Sequence, residues 1–213
     1  MHSSDPARPK RRIDRARIGT LRIVGGVHRG RRLVVPPGEA VRPTSDRARE
    51  ALFNILVHAG HGESGLSPLQ DARVLDVFAG SGALGIEALS RGATHASFLE
   101  SDREAVRLIG ENLRKLGEAG NARIVRCDAT LPPSANRPAS LAFLDPPYRS
   151  GLGSKALGAL ARTGWLAPGA LVTLELARTE DAELPAGFTV LDERRYGAAK
   201  ILILRYGSAV QKP

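Results

Sequence analysis

Apolar residues along this chain switch between short unbroken runs and stripes with helical spacing, and that switching predicts a layered α/β fold. Runs near 73–78, 96–100, 122–126, 140–145 and 170–176 read as buried strands. Ala83 to Ser90 reads as a helix that stops at Gly92, and Ala105, Ile109, Leu113 and Leu116 form the apolar stripe of another. A capping box at Ser101-Asp102-Arg103-Glu104 opens that second helix and Gly117 ends it. Strands alternating with helices predict a doubly wound, mostly parallel sheet. It ends in an antiparallel hairpin that pairs 189–193 with 200–206 around Gly197.

A smaller unit precedes this core. Leu21 to Val24 and Arg32 to Val35 flank a turn region with Gly25, Gly26 and Gly30, the pattern of a β-hairpin. Thr44 or Ser45 can cap a helix whose Ala48, Leu52, Ile55 and Leu56 share one face, ending near Gly60. Arg47, Arg49 and Glu50 lie off that stripe, where a surface ion pair and a ligand contact are both open. Residues 61–67 read as a flexible connection. The expected division is a basic, disordered tail over 1–20, the hairpin and helix over 21–67, and the main domain over 68–213.

Composition narrows the class. A chain of 213 residues can bury about 70% of its unfolded surface, enough for one α/β domain and an appendage. Cys127 is the sole cysteine, which excludes an intramolecular disulfide and a cysteine metal cluster, and it reads as a packing residue rather than a nucleophile. The five histidines form no metal-ligand pattern, so no metal is expected. No apolar run approaches membrane-spanning length and no secretory leader is visible, so a cytoplasmic protein is expected. Charge is unevenly placed: residues 1–49 hold 13 Lys plus Arg against 4 Asp plus Glu, whereas residues 50–213 hold 18 of each. The whole formal excess of +9 therefore lies in the first quarter of the chain, as a footprint for a polyanion such as RNA. Arg29, Arg31, Arg32 and Arg42 flank the apolar runs and are the candidate RNA contacts.

The chemistry concentrates after two predicted strands. Asp145-Pro146-Pro147-Tyr148 follows Leu141-Ala142-Phe143-Leu144, and the prolines end that strand. In an open α/β sheet this is the ligand-binding edge. A carboxylate and a backbone carbonyl there could accept both N–H bonds of an exocyclic nucleobase amine. That would return its delocalised lone pair to nitrogen, with Tyr148 stacked on the base. Upstream, Asp76-Val77-Phe78-Ala79-Gly80-Ser81-Gly82 leads from a strand into a glycine turn, and Gly80, Gly82 and Gly85 also satisfy a dinucleotide fingerprint. Glu100 ends the next strand, where a carboxylate holds ribose hydroxyls. Asp76 would tend to repel a pyrophosphate but attract the ammonium and sulfonium of S-adenosylmethionine, so the methyl donor is preferred to a nicotinamide. The structural alternative for Asp76 is a cap for the following turn.

In this order, Asp76 through Gly82, Glu100, Asp128 and Asp145 through Tyr148, the chain resembles class I S-adenosylmethionine-dependent amino-methyltransferases. Arg22 to Gly26, Arg29 to Arg31, Arg42 to Thr44 and Arg47 to Leu56 look like the N-terminal signatures of the RsmD family. The resemblance implies a Rossmann-like methyltransferase fold and methyl transfer to guanine-N2 of 16S ribosomal RNA, free or in an assembling small subunit, by a monomer. It implies cofactor contacts at Asp76, Phe78, Gly80, Gly82, Glu100 and Asp128, the last at the adenine amine. A turn aspartate is the plain alternative for Asp128. Catalysis would rest on Asp145, the Pro146 carbonyl and Tyr148. The tetrapeptide also suits adenine-N6. A DNA adenine methyltransferase therefore stays open, as do a nicotinamide oxidoreductase and a non-catalytic RNA-binding module.

Overall fold

The computed structural model describes residues 19–35, 43–58 and 67–207. Arg42, residues 1–18 of the expected tail and most of the expected connection lie outside them. An antiparallel hairpin, β1 (Gly19–Arg22) and β2 (Arg32–Val35), precedes helix α1 (Pro43–His58). The core then runs β3 (Arg73–Val77), α2 (Ala83–Ser90), β4 (His95–Glu100), α3 (Arg103–Leu116), β5 (Ala122–Arg126) and β6 (Ala139–Leu144). It closes with α4 (Leu152–Arg162), β7 (Leu166–Ala177), β8 (Phe188–Tyr196) and β9 (Ala199–Tyr206).

The seven core strands form one sheet in the order β5-β4-β3-β6-β7-β9-β8. β5 through β7 are parallel neighbours, and β9 and β8 join antiparallel. The doubly wound expectation is met, and chain direction along the sheet reverses between β3 and β6, the switch point at which such sheets bind ligands. Register sets Val77 beside Leu144, so the segments leaving these two strands start side by side. One face buries Val74, Ile86, Phe98, Ile109 and Phe143, and the other buries Leu75, Leu99, Leu144, Leu157 and Trp165.

The hairpin and α1 complete the first of these faces. Ile23, Leu33, Val35, Leu52, Phe53 and Leu56 share its apolar cluster, and the Phe53 and Phe143 rings lie 5.4 Å apart. Polar clamps fix the hairpin in place. The Asn112 side chain on α3 imitates a strand: its Oδ1 accepts from Val34 N–H at 2.8 Å and its Nδ2 donates to Val34 C=O at 2.8 Å. Ser90, the last residue of α2, offers a carbonyl that helix geometry leaves unpaired, and Val27 N–H donates to it at 2.7 Å. A Cβ on Gly26 would sit 1.7 Å from that carbonyl, which is why the turn needs glycine there.

Several boundaries move for physical reasons. α3 is capped by Asp102, whose carboxylate accepts from Ala105 N–H at 2.8 Å, instead of by Ser101. Glu100 takes the Asp102 N–H at 2.8 Å and so shifts the cap by one residue. β7 starts at Leu166 and runs through Pro168-Gly169, because a register shift between Ala139 and Leu141 on β6 accommodates them. Arg49 is buried, not on a surface: its guanidinium donates to Arg22 C=O and lies 3.8 Å from buried Glu87. Glu87 also accepts from Val24 N–H at 2.9 Å and from Arg91 at 2.7 Å, so one carboxylate joins the hairpin, α1 and α2.

Replacing Asn112 by Ala strips partners from two backbone groups of an inner strand residue. Urea unfolding should show a stability loss of about 2–4 kcal/mol with an unchanged slope. A loss below roughly 0.5 kcal/mol would mean that apolar packing alone holds the hairpin.

Candidate active site

The glycine turn is built by two carboxylates that reach its backbone from below and from the side. α2 starts after Gly82, which has φ +77° and supplies no side-chain cap. The missing cap comes from β3: buried Asp76 accepts from Gly85 N–H at 2.8 Å. A carboxylate there also favours the helix dipole. Gly85 lets the helix press on the sheet, since a Cβ would stand 2.4 Å from the Phe98 ring. Asp76 thus takes the structural role offered as its alternative, and from this position it can act on a bound cation through its field.

Glu100 holds the other side of the turn. Its Oε2 accepts from Gly80 N–H at 2.8 Å while its Oε1 accepts from Asp102 N–H. The Ser101 hydroxyl also donates to Oε1 at 3.4 Å, and since a carboxylate has about four acceptor directions, one remains on the Oε2 side for a hydroxyl donor. Gly80 at φ +52° and Phe78 at φ +59° both occupy the left-handed region. For a phenylalanine that conformation costs on the order of 1–3 kcal/mol and is held only because its surroundings determine it. This strain falls at the switch point of the sheet.

Around the same edge stand the remaining predicted residues. Asp128 follows β5, is exposed, and accepts from the Thr130 N–H and hydroxyl at 2.8 Å each. The Thr130 N–H, then its hydroxyl, holds this carboxyl below the usual aspartate value. That is the turn geometry of the plain alternative, with the carboxylate still open to solvent. Cys127 is pushed above the usual thiol value by burial, then by the Asp128 and Glu100 charges, which keeps it protonated and inert. Asp145 is exposed at the end of β6 and donates its N–H to Val77 C=O at 3.4 Å, beside Phe78, and Pro146 behind it is buried. Tyr148 is 42% exposed at this same edge.

Two glutamates were not anticipated. Tyr148 Oη donates to Glu175 at 2.6 Å, and Arg149 N–H donates to Glu180 at 2.8 Å. Glu175 lies near the end of β7 and Glu180 in the turn beyond it, so both brace the segment after β6. Glu175 was visible as the one charged residue in the apolar run Leu171–Ala177, but nothing in the sequence aims it at Tyr148.

The hairpin arginines stand elsewhere. Arg29, Arg31 and Arg32 are exposed, and Arg31 donates to Lys115 C=O at 3.1 Å. Lys115 and Ser90 lie at the C-terminal ends of α3 and α2, whereas the catalytic edge lies at their N-terminal ends. A helix the length of α3 spans about 20 Å, so the basic tip and Asp145 occupy opposite edges of the sheet. Trp165 is a core residue, with its indole N–H donating to Pro133 C=O at 2.7 Å.

Known proteins share this arrangement. The family described as Conserved hypothetical protein 95 matches residues 21–205. Ribosomal RNA small subunit methyltransferase D of Escherichia coli K12 is 44% identical over 158 residues, covering 74% of this chain and 75% of that protein. A putative methyltransferase structure from Escherichia coli is 40% identical with a TM-score of 0.74, covering 88% of this chain and 98% of that one. More distantly, a Thermus thermophilus 16S rRNA N2 G1207 methyltransferase solved with AdoMet and guanosine shares the fold. It has a TM-score of 0.61 at 21% identity over 89% of this chain and 50% of that one.

Asp76→Ala should remove the side-chain cap that β3 gives to the start of α2. We expect a stability loss of about 1–3 kcal/mol and faster deuterium exchange at the Gly85 amide. Unchanged protection at that amide would mean that packing against Phe98 suffices to hold the helix start.

Proposed function

The chain belongs to the RsmD family, and from that membership we propose that it transfers a methyl group from S-adenosylmethionine to the exocyclic N2 amine of a guanine in 16S ribosomal RNA. The observation that carries this reading is the placement of Asp145-Pro146-Pro147-Tyr148 beside the strained glycine turn at the switch point of the sheet.

The donor set at the turn fits the cofactor. Glu100 has an acceptor direction free for a ribose hydroxyl, Gly80 and Gly82 permit close approach of the methionine part, and Phe78 and Asp128 flank the adenosine side. Asp76 lies under the turn, where its negative field favours a cationic ligand. When bound, S-adenosylmethionine supplies an electrophilic methyl group on a sulfonium. The protein's own contribution is positioning and electrostatics. Tyr148 gives its ring to an extruded base, and its hydroxyl, fixed on Glu175, keeps that ring from swinging. The exposed Asp145 carboxylate accepts one N–H of the amine and the Pro146 carbonyl the other, which localises the lone pair for attack.

Residues 21–67 then act as the RNA-docking unit and 68–213 as the catalytic one, in a monomer working on 16S RNA, free or in an assembling small subunit. Because Arg29, Arg31 and Arg32 are remote from Asp145, they serve by gripping RNA backbone at a distance from the target base. No helix of the described residues is long and apolar enough to cross a membrane.

Small subunits from cells lacking this gene, incubated with enzyme and labelled cofactor, should yield labelled N2-methylguanosine on digestion. Label in N6-methyladenine, or in DNA alone, would overturn the assignment. Asp145→Ala should bind cofactor normally yet lose most single-turnover rate, because its partner is the amine in the transition state. Glu100→Ala should instead weaken cofactor binding by about 1–3 kcal/mol in titration calorimetry.

A further inference from the structure

The edge opposite the catalytic one carries a concentration of positive charge that nothing above uses. Arg73 opens β3 and His95 opens β4, and the two are register partners. Arg123 on β5 is paired with Ser97, two residues beyond His95. Partners in a parallel ladder, and residues two apart on one strand, share a face. All three therefore stand on the face that buries Leu75, Leu99 and Trp165, and Arg123 lies 5.9 Å from the Trp165 ring centroid. Arg137, in the exposed segment leading into β6, lies near enough for its charge to act on His95.

Among the described residues no carboxylate pairs with any of these arginines, and Arg73 Nε is buried without a hydrogen-bond partner. Arg107, Lys115, Arg194 and Arg195 each have a carboxylate within 3.0 Å, while other exposed arginines such as Arg103, Arg126 and Arg162 have none among the described residues. What sets this group apart is the buried Arg73 Nε and the shared sheet face. Burial, followed by the Arg73, Arg123 and Arg137 charges, holds the His95 imidazole below its ordinary value, and no acidic group among the described residues offsets them. Three guanidiniums gathered around one imidazole repel one another, and a partly buried setting strengthens that repulsion. A bound anion would relieve it. A planar guanidinium donates two N–H bonds at once to an anion with several oxygens, and phosphate meets that demand.

We propose that Arg73, His95, Arg123 and Arg137 form a phosphate-binding site at the amino-terminal edge of the sheet, separate from the methyl-transfer site. The hairpin arginines lie on this same edge, against the other face of the sheet. An RNA backbone lying along the edge would meet both groups, so RNA is the favoured source of the phosphate, a choice that rests on the function proposed above. A small phosphorylated molecule presents the same chemistry and is the other source.

The test follows the His95 ring by NMR in full-length protein at constant ionic strength, with His95→Gln identifying its signal. Inorganic phosphate should bind saturably and raise the His95 titration midpoint by about one pH unit, since an opposite charge within reach favours the imidazolium. Arg137→Gln, a change on an exposed segment, should weaken phosphate binding about threefold to fivefold while leaving the folded spectrum intact. A ribosomal RNA oligonucleotide that produces the same response and displaces phosphate identifies RNA as the occupant. Phosphate binding without any response to RNA assigns the site to a small phosphorylated ligand. No movement of His95 with phosphate, or equal phosphate affinity in Arg137→Gln, would overturn the site. None of these readings requires methyl transfer, so they stand or fall apart from the proposed activity.

Discussion

The buried carboxylate of Asp76 accepting the Gly85 amide is the contact on which the working surface depends. It ties the end of β3 to the start of α2 across a turn that lacks a cap of its own. With that joint made, the turn bulges outward through left-handed Phe78 and Gly80, and Glu100 can reach the Gly80 amide from the neighbouring strand. The parallel pairing of β3 with β6 then delivers Asp145 to the same place. A single capping bond therefore sets where the backbone of the cofactor turn lies relative to the strand that carries the catalytic tetrapeptide.

The far end of α2 uses a different device for the same purpose. Its terminal carbonyl and the Ser90 hydroxyl receive the hairpin backbone, and Glu87 one turn earlier gathers Val24, Arg91 and Arg49. A carboxylate that is 0% exposed needs such partners, because desolvating it unpaired would cost several kcal/mol. Asn112 extends the linkage, holding Val34 of the hairpin and donating to Ser81 C=O of the glycine turn at 3.3 Å. The appended unit is thus joined to the cofactor turn through hydrogen bonds as well as apolar contact.

Function follows from the division of the sheet into two edges. The carboxyl edge carries acceptors, carboxylates and a carbonyl, suited to hydroxyls and an amine. The amino edge, with the hairpin tip, carries guanidiniums suited to phosphate. A large polyanionic substrate suits both, since base chemistry uses a shaped set of acceptors while affinity comes from phosphates elsewhere.

Much of this was legible beforehand, because strands and helices follow the local alternation of apolar and polar residues. The range Ala83–Ser90, the terminator Gly117, the positions of the parallel strands and the tetrapeptide at a strand end are all local signals of this kind. Gly80, Gly82, Glu100 and Asp145 could be singled out as candidates because the chemistry of a strand-end turn restricts residue type at each position. What could not be read was which distant side chain completes which backbone group. Asn112 acting as a strand partner, Glu87 as a buried junction, Arg49 as an interior cation and Glu175 as the brace of Tyr148 are contacts between residues 27 to 78 positions apart. Propensity and periodicity carry no information at that range. Tertiary structure alone decided that the basic hairpin faces the edge opposite the catalytic one, since that depends on which end of α2 its backbone caps.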